Sequence, residues 1–158
     1  MAENLLIAPE LRVPNWIDAS GNPRDPLKLK ELGNGYKIIF CFKASCPACH
    51  SRGFPIMKKL VDKLSDNGFG FAVIHTAFDD DPFNSLERIT EYQQQYDIKV
   101  PFGHDPKVDD QYPTFMTDYR TRGTPYFVAI NPAGQIVHGD FGLDADRLIE
   151  QVLAQVNS

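Results

Sequence analysis

The sequence predicts a single α/β domain with a central mixed sheet flanked by helices. Three observations carry that reading. Nearly continuous apolar runs of strand length occur at residues 36–42 and 69–76, as strands buried on both faces require. Segments of helical periodicity alternate with them, the pattern of parallel strands joined by crossover helices. Near the C-terminus, residues 126–130 and 135–138 flank the turn Asn131-Pro132-Ala133-Gly134 and read as an antiparallel hairpin.

Taken in order, residues 16–23 read as a short strand closed by a turn, because Ser20, Gly21, Asn22 and Pro23 each favour turn geometry. A short helix over 27–32 ends at Gly33. After the strand 36–42, Phe54, Met57, Leu60, Val61 and Leu64 recur at helical spacing. Pro55 inside that helix predicts a kink, since its ring removes a hydrogen bond and clashes with the preceding turn. Asn67-Gly68 stops the helix. The strand 69–76 leads into the polar loop Asp79-Asp80-Asp81-Pro82, which lacks the regular spacing of a calcium loop. Asn84-Ser85-Leu86-Glu87 has the form of a capping box, opening a helix with Leu86, Ile89, Tyr92 and Tyr96 on one face. A short strand over 99–104 and a short helix over 114–120 follow. The last amphipathic helix begins near Asp144 and presents Leu148, Ile149, Val152 and Leu153. Residues 1–158 read as one domain, with 1–15 a flexible N-terminal segment.

Composition excludes several classes. The chain has 158 residues, 42% hydrophobic and 23% charged, as a soluble globular protein does. A net charge of -5 and the lack of a Lys/Arg cluster argue against nucleic acid. No apolar run is long enough to span a membrane. The first ten residues have neither a basic region nor a long apolar stretch, so a cytoplasmic setting is favoured. A periplasmic or exported setting stands if a leader has been removed. Three cysteines, Cys41, Cys46 and Cys49, do not make a disulfide scaffold.

The chemistry lies in Cys46-Pro47-Ala48-Cys49. A C-x-x-C directly after a buried strand and opening a helix has the context of a redox dithiol. Cys46 at a helix N-terminus meets unpaired N–H groups and the positive end of the dipole, both favouring the thiolate that attacks disulfides. Cys49, one turn further in, is close enough to pair with it and sheltered enough to resolve. His50 and Arg52 add positive potential nearby as a minor contribution. Gly123-Thr124-Pro125 precedes a strand, where a proline that cannot donate to the sheet is at home.

Residues 38–55 and 123–134, with their C-x-x-C, Phe54-Pro55 and Gly-Thr-Pro, resemble the thioredoxin superfamily, more narrowly its redoxin or TlpA/ResA-like branch. The N-terminal strand and the inserted helix over 84–96 are similar to that branch too. The resemblance implies a thioredoxin fold with an N-terminal strand extension and an inserted helix. It implies a protein-disulfide oxidoreductase with Cys46 as nucleophile and Cys49 as resolving thiol. A cis Pro125 would pack against the dithiol. Thr124 would offer its backbone to an extended substrate, as in strand addition. Ser45, Pro47 and Ala48 would line the site. The expected partners are a disulfide-containing protein and an upstream reductase or oxidase, with a monomeric chain and no cofactor beyond a redox-active Cys46–Cys49 disulfide.

The sequence departs from the family at three positions. Ser45 replaces the tryptophan usual before the first cysteine. Phe40 occupies the place of a buried acidic residue, and Arg52 that of a glutamate. Proton transfer at Cys49 then falls to water or to another group. The direction of flow is not readable from Pro47-Ala48, since potentials in such dithiols run from about -270 to about -120 mV, roughly 7 kcal/mol for two electrons.

Cys41 reads as core filler, and His75, His104 and His138 as packing rather than catalysis. Three alternatives use the same residues. Cys46-Pro47-Ala48-Cys49-His50 satisfies the haem-attachment signature, although the apolar strand before it argues against a helical haem wrapping. A metal site would use Cys46, Cys49, His50 and a remote ligand, but no second paired-ligand motif is present. A thioredoxin-fold peroxidase would carry threonine three residues before its reactive cysteine, where this chain has Lys43.

Overall fold

The computed structural model describes residues 5–156, and these form seven strands and four α-helices. The strands are β1 (Asn15–Ile17), β2 (Pro23–Arg24), β3 (Lys37–Phe42), β4 (Gly70–Ala77), β5 (Phe102–Pro106), β6 (Tyr126–Ile130) and β7 (Ile136–Asp140). The helices are α1 (Phe54–Leu64), α2 (Glu87–Gln95), α3 (Thr114–Tyr119) and α4 (Ala145–Val156). One sheet runs in the order β2-β1-β5-β4-β3-β6-β7. The apolar runs take its centre: β3 is parallel to β4, and β4 to β5. β6 returns antiparallel against β3 and turns into β7. This is the thioredoxin fold in a mixed sheet, as the alternation of elements predicts.

Alternation along β3 assigns the two cores. Ile38, Phe40 and Phe42 face Phe54, Met57, Leu60 and Leu64 of α1, Ile89 and Tyr92 of α2, and Ile149 of α4. Ile39 and Cys41 face the other way, with Phe115 and Tyr119 of α3 and the N-terminal Leu11, Val13 and Trp16. Each fully buried Phe, Leu or Ile contributes about 1.5–3 kcal/mol, so both faces of β3 are expensive to disturb. That anchors the end of the strand where the dithiol begins.

Several local expectations change. The strand read over 16–23 is a small hairpin, with Trp16 opposite Arg24. The helix expected over 27–32 is a single 3-10 turn, Leu29–Leu32. Within the segment read as flexible, Ala8 N–H bonds Gly134 C=O at 2.8 Å, and the Tyr119 hydroxyl donates to Pro9 C=O at 2.5 Å. Residues 1–4 of that segment lie outside the described residues.

The kink expected at Pro55 is taken up one turn earlier. Cys49–Gly53 form a π turn, closed by Phe54 N–H on Cys49 C=O. Pro55 then falls at the second residue of α1, inside the helix that began at Pro47, and the wider π turn ahead of it makes room for its ring and missing N–H. The capping box read at Asn84–Glu87 does not form through Asn84. α2 starts at Glu87, and the Asn84 side chain turns instead to Ser45 and Asp79.

Candidate active site

Helical backbone starts at Pro47, so Cys46 stands at the N-terminal edge of the helix that follows β3. The Cys49 N–H reaches back to the Cys46 sulfur at 3.3 Å and to its carbonyl at 3.2 Å. That amide is aimed at the sulfur from the first turn of the helix. Cys46 is half-buried, whereas Cys49 is buried. Burial pushes the Cys49 thiol up to about 12, with its hydrogen bond to Cys46 acting in the same sense. The Lys43 backbone and Thr124 pull the other way. The two sulfurs therefore differ: one open and amide-supported, the other closed and holding its proton.

Thr124 and Pro125 are joined by a cis peptide bond, and β6 begins directly after it. The Cys46 thiol donates to the Thr124 carbonyl at 3.6 Å. Pro125 meets the helix through Gly53, where an added Cβ would stand 2.6 Å from Phe40 Cζ and 3.1 Å from Pro125 Cβ. Both neighbours are rigid and buried. Gly53→Ala should cost about 1–3 kcal/mol by overpacking, read as a lower urea midpoint. An unchanged midpoint would show that the two rings yield freely. Beside Pro125 a groove of about 330 Å³ is lined by Ile56, Phe127, Phe141, Leu143 and Arg52. Arg52 thus faces this groove. Pro47 is exposed, and Ala48 and Ser45 are half-buried around the sulfurs.

His50 stands differently from its sequence reading. Its ring stacks on Phe54 and Tyr96, with Nδ1 2.5 Å from the Tyr96 hydroxyl and Nε2 2.7 Å from the Ala44 carbonyl. Both ring nitrogens are thus occupied, and neither is free to ligate a metal or haem iron. Among the described residues no three His, Cys, Asp or Glu side chains converge as a metal site. Lys43, at the peroxidase threonine's place, pairs with Asp79 at 2.6 Å. Cys41 faces the second core, fully buried, and burial raises its thiol well above the ordinary range. His138 bonds the Gly142 carbonyl on the surface.

Sequence reasoning passed over His75 and Asn84. His75 accepts Ala44 N–H at 3.1 Å and lies against His104, while Asn84 accepts Ser45 N–H at 3.0 Å. A signal was present in one of them: a histidine inside an otherwise apolar central strand, in register with Phe42, has to find a partner.

A family model described as Redoxin matches residues 8–153. The chain belongs to the redoxin family. No functionally curated protein matches this redoxin. Among solved structures, a thioredoxin-like superfamily protein is similar at 27% identity and TM-score 0.80, over 95% of each chain. A thiol-disulfide isomerase from Corynebacterium glutamicum shares 22% identity and TM-score 0.75, over 94% of this chain and 95% of its own. The thioredoxin domain of a thiol-disulfide oxidoreductase from Bacteroides vulgatus shares 19% identity and TM-score 0.67, over 99% of each. These last two share the fold. Family membership, with Cys46 and Cys49 side by side, supports a thiol-based redox function and an oxidoreductase.

Proposed function

We propose that this redoxin reduces or exchanges disulfides in protein substrates, with Cys46 as nucleophile and Cys49 as resolving thiol. The observation that carries the reading is the asymmetry of the pair: Cys46 half-buried under the Cys49 N–H, Cys49 buried with its thiol pushed up to about 12. The Cys46 thiolate attacks one sulfur of the substrate disulfide. That bond breaks, the departing thiolate takes a proton, and a mixed disulfide forms. Cys49 then gives up its proton and attacks the Cys46 sulfur, expelling the second substrate thiol. The substrate is reduced by two electrons and the Cys46–Cys49 pair is oxidised by two. An upstream reductase restores the dithiol; an oxidase drives the cycle in reverse.

Thr124 supports an extended substrate in this reading. Its carbonyl accepts the Cys46 thiol in the reduced protein, and loss of that proton frees the carbonyl for a substrate N–H. The apolar groove beside Pro125 offers room for neighbouring substrate side chains. Engagement of both His50 nitrogens supports a dithiol rather than a haem or metal ligand set, and in this reading the pair serves as the redox group by itself. Titrating the pair against glutathione, with Cys46 alkylation followed across pH, tests the proposal. A reversible two-electron couple is expected. A reducing potential would favour a cytoplasmic reductant and an oxidising one an exported oxidase. A Cys46–Cys49 disulfide that never forms would refute the reading.

A further inference from the structure

β3 ends at Phe42, and three consecutive backbone groups ahead of Cys46 are each held by a side chain from a different element. His75 on β4 takes the Ala44 N–H at 3.1 Å. His50 in the π turn takes the Ala44 carbonyl at 2.7 Å. Asn84, ahead of α2, takes the Ser45 N–H at 3.0 Å and donates to Ser45 Oγ at 3.2 Å. The Ala44–Ser45 peptide is thus tied at both its oxygen and its nitrogen.

The proton positions follow by exclusion. A carbonyl only accepts, so His50 Nε2 carries a hydrogen, and Nδ1 is left to the Tyr96 hydroxyl. An amide N–H only donates, so His75 Nε2 is bare and its proton sits on Nδ1, directed at His104 Nδ1 at 3.1 Å. The His50 ring is further fixed by Phe54, Tyr96 and the edge of Tyr92 at 4.8 Å. It has little freedom to do anything but hold Ala44.

We infer that His50 is a positioning residue for the thiol chemistry, acting through the Ala44–Ser45 peptide that it holds together with Asn84 and His75. Cys46 follows one peptide further on, and its own N–H turns back to the Lys43 carbonyl at 2.9 Å, which ties that next peptide down as well. A fixed peptide therefore sets where the Cys46 sulfur stands relative to the Cys49 N–H. The clamp also accounts for a histidine directly after the second cysteine without invoking haem, metal or charge. The inference rests on Cys46 being the attacking thiol.

His50→Leu leaves the Ala44 carbonyl unpaired, whereas His50→Gln can return an N–H to it. The readout is the rate of Cys46 alkylation by iodoacetamide across pH, with the glutathione equilibrium and the urea midpoint measured on the same proteins. His50→Leu is expected to slow alkylation at neutral pH about tenfold and to move its pH profile up by about one unit, while His50→Gln stays close to wild type. Ile89→Val, a buried change away from the peptide, is expected to lower the urea midpoint and leave the profile in place. A wild-type profile in His50→Leu, or an equal shift in Ile89→Val, would overturn the inference. If His50→Leu does not fold, Asn84→Leu set against Asn84→Gln, which keeps a neutral amide with both acceptor and donor, reads the same peptide from its nitrogen, and an unmoved profile in Asn84→Leu overturns it equally. Wild-type protein that alkylates at Cys46 but exchanges with no disulfide would sink the proposed function, while these comparisons would still decide the role of His50.

Discussion

Cys46→Ala is expected to abolish disulfide exchange, and Cys49→Ser to arrest it as mixed disulfides held through Cys46. The two outcomes differ because the two sulfurs do. With Cys46 gone, the remaining site thiol keeps its burial, the largest cause of its raised value, and stays protonated at neutral pH. Nor can it reach a protein disulfide, because Cys49 is buried in the core that holds Phe42 and Phe54. With Cys49 gone, Cys46 keeps its place against Thr124 and still attacks, but nothing releases the product. Non-reducing gels and mass spectrometry of trapped adducts distinguish the cases. A Cys46→Ala protein that retains exchange, or an adduct mapped to position 49, would reverse the assignment.

Much of this arrangement was legible in the sequence because it depends on period and punctuation. Alternating burial along β3, the glycine and proline turns and the C-x-x-C after an apolar strand are local features, and each folds where local physics places it. The Thr124–Pro125 partner came from family resemblance, since nothing in the spacing alone brings residues 46 and 124 together. What stayed hidden depends on long-range side-chain bonds. Asn84 has the residue type and spacing of a helix cap, but the unpaired Ser45 N–H competes for it and wins. His50 looked like a charge or a ligand because its neighbours in sequence are cysteines; its neighbours in space are Ala44, Phe54 and Tyr96. Pro55 signalled a helix defect correctly, yet the π turn moved that defect onto the segment holding Cys49.

The buried His75–His104 pair makes acid the second strong perturbation. Burial first, and the charge of His104 next, lower His75 to about 3 from an ordinary 6.5. Burial lowers His104 in the same direction. The unfolded chain takes up these protons once pH falls below about 6.5, while the folded protein refuses them until far lower. The unfolded state then binds more protons, so stability present above that pH is lost progressively as pH drops toward 3. At about 1.36 kcal/mol per unit, His75 alone accounts for roughly 5 kcal/mol across the full window and about 3 kcal/mol by about pH 4.5. Asp105 works against this, because burial raises its carboxyl and folding favours its protonated form in acid. The histidines remain the larger influence over the upper part of the window, before carboxylates titrate. A protonated His75 carries hydrogens on both ring nitrogens, so its Nε2 can no longer accept the Ala44 N–H and the strand end carrying Cys46 should loosen first. His75→Gln can keep an acceptor for Ala44 and cannot titrate. Urea unfolding near neutral pH and at about pH 4.5 should show wild type losing about 3 kcal/mol and His75→Gln well under half of that. Equal acid losses in the two proteins would place the acid sensitivity elsewhere in the fold.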